Sequence, residues 1–141
     1  MRNLILIILT AFAITGCGNT GGSDSPENAV KDFVAAVKDN NYNKAWAQLN
    51  EKSQRFFENK AKGRNTSGRD LFEQNVPNLK SLGILGEEFY IADQKQEEDL
   101  VTIIIKTNSG KTSEIFTEKE GGTWKLDYAK SISESINPEQ Q

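Results

Sequence analysis

Hydrophobic positions change period once along this chain. Val30, Phe33, Val34 and Val37 fall at i, i+3, i+4 and i+7, and Tyr42, Ala45, Trp46 and Leu49 repeat that spacing after Asp39-Asn40-Asn41. Two amphipathic helices joined by a tight turn are therefore predicted. Ser25-Pro26-Glu27 supplies the first helix with a hydroxyl cap, a proline at its first position and an early acid. A third helical piece carries Phe56, Phe57 and Ala61, with Ser53 as its cap. A short one from Asp70 to Val76 buries Leu71 and Phe72 and ends at Pro77. Leu79, Leu82, Ile84 and Leu85 make an apolar connector.

From Phe89 the pattern alternates. Phe89 and Ile91 open a strand, and Gln96-Glu97-Glu98-Asp99 is a polar turn. Leu100 to Ile105 is β-branched and apolar on both faces, which predicts a central strand covered on both sides. Asn108-Ser109-Gly110-Lys111 turns the chain into a strand marked by Ile115 and Phe116, and Gly121-Gly122 forms a tight hairpin. Trp124, Leu126 and Tyr128 then point inward while Thr123, Lys125 and Asp127 point out. Helices followed by hairpin-linked strands imply an α+β domain, with N-terminal helices packed on a curved, four-stranded antiparallel sheet. One weak helical turn or two is expected from Ser131, within a weakly ordered tail at 131–141.

The front of the chain has another character. Arg2 precedes an apolar run, Leu4 to Ile14, that is shorter than the ~20 residues of a membrane span. It ends in Ile14-Thr15-Gly16-Cys17, which resembles a bacterial lipobox. That resemblance implies a signal peptide over 1–16, cleavage between Gly16 and Cys17, and a lipid on the Cys17 thiol. One acyl chain binds a membrane only marginally, so a diacylglyceryl group meets the need for two. The domain would then lie outside the cytoplasm in the bacterial cell envelope. Gly18, in place of the Asp that resembles an inner-membrane retention signal, would permit outer-membrane sorting if the cell has one. Residues 17–24 include Gly18 to Asp24, a flexible composition whose seven residues span roughly 15 Å on average. The folded domain is expected over 25–130.

Composition narrows the chemistry. The 141 residues contain no histidine and a single cysteine, which lipidation would consume. His-based acid–base catalysis, Ser-His-Asp and Cys-His nucleophiles and intrachain disulfides are thereby excluded. The net charge of −3 argues against a nucleic-acid partner. Lys60 to Arg69 gathers four basic residues and two glycines, but the glycine spacing fits no phosphate-cradling loop, so a solvated surface is the simpler reading. Glu97-Glu98-Asp99 lacks a calcium-loop pattern. No metal site and no cofactor are expected.

Two stretches carry a family resemblance. One is Pro26, Ala29-Val30-Lys31-Asp32-Phe33, Ala36-Val37-Lys38 and Asn41 to Trp46 with Leu49; the other is Lys119 to Asp127. Together they resemble small bacterial lipoproteins of unknown function with a nuclear transport factor 2-like fold, in the cystatin-like group. The resemblance implies a cone of helices wrapped by a curved sheet. Its enzymatic members include dehydratases using His with Asp, which this chain lacks, and isomerases using an Asp base beside a Tyr. Tyr42, Tyr90 and Tyr128 are present, but no acid stands in an apolar stretch to match, so no catalytic residue carries over.

Trp46, Phe57, Phe72, Tyr90, Phe116 and Trp124 are the candidate lining of an apolar pocket in such a cone, with simple core packing as the alternative. The function expected is a lipid-anchored, non-catalytic domain binding a partner protein or a small apolar ligand. The alternatives are an isomerase- or cyclase-like enzyme and an inhibitor or immunity-type protein. A homodimer through the sheet is the expected assembly if the chain self-associates.

Overall fold

The structure is a computed structural model that describes residues 21–77 and 85–136. Among the described residues, four helices precede a four-stranded antiparallel sheet of order β1-β2-β3-β4, and a fifth follows it. The chain is thus α+β, as the change of period predicts.

Helix α1 (Pro26–Lys38) begins where Ser25 Oγ accepts the Asn28 N–H at 3.1 Å. It ends in a Schellman motif: Asn40 has φ 54°, and Asn41 and Asn40 N–H groups donate to the Ala36 and Val37 carbonyls. Asn41 then caps α2 (Tyr42–Ala47) through its side chain. This helix stops before Leu49, short of the sequence prediction, because the sheet claims the next residues. Leu126 N–H donates to the Gln48 carbonyl at 2.8 Å, and Asn50 N–H donates to the Leu126 carbonyl at 3.0 Å. Asn50, not Ser53, caps α3 (Glu51–Ala61). Ser53 is buried, and its Oγ accepts the Ala129 N–H at 3.1 Å. Helix α4 (Gly68–Asn75) starts earlier than predicted because Ser67 caps it. A Cβ at Gly68 would lie 2.7 Å from the Glu58 nitrogen, so the glycine lets α4 start against α3.

Strand β1 (Phe89–Glu97) pairs with β2 (Leu100–Thr107) across a turn of Glu98 and Asp99, with a bulge at Ala92. Strand β3 (Thr112–Glu120) and β4 (Thr123–Leu126) meet at Gly121-Gly122, both with positive φ, as a two-residue hairpin requires. Val101, Ile103, Ile105, Ile115, Trp124 and Leu126 face the helices and complete the core with Val30, Phe33, Leu49 and Phe72. The second face of β2 is more open than predicted. Leu100, Thr102 and Ile104 are half-buried, since among the described residues no helix lies over them as α1 lies over the other side.

The β4 edge is covered by two segments of the chain. Ser23 exchanges both backbone hydrogen bonds with Trp124, at 2.9 and 2.8 Å, and Leu49 bridges Leu126. Residues 21–24 are therefore part of the fold, and the expected flexible span is shorter than its composition suggests. A Cβ on Gly21 would lie 1.8 Å from the Ala47 carbonyl oxygen, and one on Gly22 would lie 2.3 Å from Thr123 Oγ1. These glycines permit close packing instead of supplying a loose linker.

Where β4 ends, α5 (Tyr128–Ile136) takes over the β3 edge. Asp127 N–H donates to the Phe116 carbonyl at 2.8 Å, and Phe116 N–H donates to Ser131 Oγ at 3.0 Å. Asp127, predicted to face outward, is buried because its carboxylate accepts the Lys130 N–H at 3.0 Å and opens the helix. Ser131 is fully buried, so the folded unit extends past residue 130. The predicted connector residues Leu79, Leu82 and Ile84, and the chain end at 137–141, lie outside the described residues.

Candidate functional site

Six aromatic rings from five helices meet between the helical layer and the sheet. Phe57 is the hub, with ring centroids 6.1 Å from Trp46, 5.3 Å from Phe56, 5.4 Å from Phe72 and 5.3 Å from Tyr128. Phe72 adds Phe33 at 6.3 Å and Trp46 at 5.6 Å. Most pairs are tilted or edge-on, the arrangements that a ring quadrupole favours. Phe33 and Phe72 are completely buried; Phe57 and Tyr128 are nearly so. Burial pushes the Tyr128 hydroxyl well above its ordinary pKa, so it stays protonated across the physiological range.

Of the six candidate pocket residues, the fold brings Trp46, Phe57 and Phe72 together. Trp124 is in the same core on β4, where Lys119 Nζ lies 5.9 Å from its ring. Tyr90 and Phe116 do not join them. Tyr90 is 52% exposed on β1. Phe116 is on the opposite face of the sheet, paired with Thr102 and covered by Lys130, whose Nζ lies 4.4 Å from its ring. The reason is register: Ile115 and Thr117 face the core, so the residue between them cannot. Phe33 and Tyr128 occupy the places in the cluster that Tyr90 and Phe116 do not. Phe33 was readable from the α1 stripe, and Tyr128 from its alternation with Leu126. Gly16 and Cys17, the predicted cleavage and lipid-attachment residues, lie outside the described residues.

A polar junction borders the cluster at the α3 N-terminus. Asn50 Nδ2 donates to Glu118 at 2.8 Å, Lys52 Nζ donates to the other oxygen at 2.8 Å, and Glu51 N–H donates to Glu120 at 2.9 Å. Burial pushes Glu118 up, but the bonds from Lys52 and Asn50 outweigh it, and its pKa lies below the ordinary carboxylate value. The hydrogen bond to Glu118 correspondingly raises Lys52. Two acids at a helix N-terminus also complement its dipole. Each group is paired, as suits a structural joint.

The basic stretch is divided between elements. Lys60 lies on α3 with its Nζ 4.3 Å from the Phe56 ring, and Arg69 lies on α4 near Asp70 and Glu73. Lys62 and Arg64 are exposed in the intervening loop. Two of the four cations are thus occupied locally, and no shared anion cradle forms from them. Among the described residues no group of three acidic or thiol side chains could hold a metal ion, and no helix is long and apolar enough to cross a membrane.

The architecture is that of a small α+β domain with a helix-covered antiparallel meander. Residues 15–127 match a family described as a domain of unknown function, DUF4878, and the chain belongs to that family. No curated protein matches the chain.

Proposed function

We propose that this is a lipid-anchored protein of the bacterial cell envelope, held by a diacylglyceryl group on Cys17, which acts by binding a partner protein and not by catalysis. The observation that carries the binding half is the aromatic cluster. Phe57 and Phe72 contact each other and four further rings, Phe33, Trp46, Phe56 and Tyr128, at 5.3–6.4 Å, so their faces are occupied within the cluster. Recognition then belongs to the exterior. There, among the described residues, no strand pairs with the outer edge of β1, and Tyr90 is exposed beside it.

The helix-then-meander order, with α1 lying against β2, β3 and β4, supports a nuclear transport factor 2-like cone as the finer description. Tyrosine placement supports the non-catalytic reading over an isomerase-like one. Tyr42 donates to Asn40 at 3.0 Å and Tyr90 is exposed. Among the described residues no hydrogen bond joins Tyr128 to a carboxylate.

Two measurements test this proposal. Mass spectrometry of the membrane-extracted protein should find a chain beginning at Cys17 and carrying the lipid; an intact leader or a free thiol refutes the anchor. Titration of the soluble domain with an environment-sensitive apolar dye should give no saturable binding. Saturable, stoichiometric binding that is lost in Phe57→Ala would move the function to an internal apolar ligand.

A further inference from the structure

The anchor and the fold are separated by very little chain. Backbone pairing of Ser23 with Trp124 and the bond from Gly22 N–H to Gln48 Oε1 at 3.0 Å fix the chain to the β4 edge. Gly21 is already wedged against Ala47. Only Gly18, Asn19 and Thr20 lie between Gly21 and Cys17. Four Cα steps reach about 14 Å when fully extended. A domain of roughly 100 residues has a radius of gyration of about 13 Å, so such a tether does not let the domain turn over.

We infer that the β4 side of the domain, where Gly21 enters the fold and the Gly121-Gly122 turn lies, is its membrane-facing surface, and that the β1 edge points into the aqueous space. The inference rests on the lipid anchor proposed above and adds the orientation that this anchor imposes. Ser23 lies four strand spacings from β1, or about 19 Å. The edge carrying Tyr90 is therefore the part of the sheet furthest from the bilayer and the most open to a soluble partner. The β4 edge has no such role, being covered by Ser23 and Leu49. Its neighbouring turn carries no side chains, which suits close approach to headgroups.

The test uses the full, lipid-modified chain in phosphatidylcholine–phosphatidylglycerol vesicles containing a headgroup-nitroxide lipid. Lys44→Cys, one helical turn before Ala47, and Lys95→Cys, on β1, each place a fluorophore at an exposed position while the lipid blocks Cys17. Quenching should be several-fold stronger at position 44 than at 95. A flexible Gly/Ser insert of about 20 residues between Thr20 and Gly21, spanning about 25 Å, should largely erase that difference. Equal or reversed quenching in vesicle-bound protein overturns the orientation and leaves the anchor standing. An undiminished difference with the insert overturns the tether as its cause. Failure of the protein to float with vesicles overturns the anchor itself.

Discussion

Gly21 and Gly86 are the same residue in opposite surroundings. A Cβ at Gly21 meets the Ala47 backbone, whereas at Gly86 it meets nothing within 4 Å. Gly21→Ala should therefore cost about 1–3 kcal/mol, the range for forcing extra volume into packed structure. Gly86→Ala should fall within about 0.5 kcal/mol of the parent. Chemical denaturation of the soluble domain, run on both variants, checks the pair. Composition could not reveal this: Gly-Asn-Thr-Gly-Gly-Ser-Asp reads as linker because glycine's signal is the same whether it supplies flexibility or close approach. The apolar stripes were legible because burial of Val30, Phe33, Val34 and Val37 follows from helical period alone. In the aromatic cluster, Phe57→Ala or Phe72→Ala should each cost about 3–5 kcal/mol. A small shift in the denaturation midpoint would mean that these rings are not packed as described.

Elements are joined here by polar groups that local pattern does not announce. Ser131 on α5 accepts from Phe116 on β3, and Asn50 ties the start of α3 to Glu118. Ser131→Ala would leave a buried N–H without its acceptor, for an expected loss of about 1–3 kcal/mol; Ser131→Thr should recover part of it. The α3 junction gives a pH signature. Glu118 titrates lower in the folded chain than in the unfolded one, so its stabilisation is fully present above the ordinary carboxylate value of 4.5 and is lost as pH falls through the folded value. Glu118→Gln should flatten that part of the acid side of a stability-versus-pH curve, measured by urea unfolding. The end of α2 departs from the helical pattern because of such a tie between elements, whereas α3 and α4 start at local caps, Asn50 and Ser67. Leu49 satisfies a helical stripe, yet it is taken by Leu126 because a strand edge needs pairing more than α2 needs another turn. Phe116 likewise reads as interior from its hydrophobicity, although alternation with Ile115 and Thr117 puts it on the other face.

For the whole molecule, the change from helical to strand period carried the α+β class, and the strand order followed from short hairpin turns. The aromatic cluster was half legible, because alternation gives a face but not the element that covers it. The anchor is a sequence-level expectation that the cell can test. Cys17→Ser should accumulate as an unprocessed precursor on immunoblots of membrane fractions, and normal maturation of that variant would contradict the lipobox reading.

The pairing of Ser23 with Trp124 bears on how a soluble form should be trimmed. A recombinant polypeptide started at Ser25, where the helix-start signal invites a cut, would discard the cover of its last strand. Trp124 would then present a bare N–H and carbonyl along a rim that neighbouring copies can use. Such material is expected to clump on concentration, whereas one begun at Gly18 stays monodisperse in light scattering.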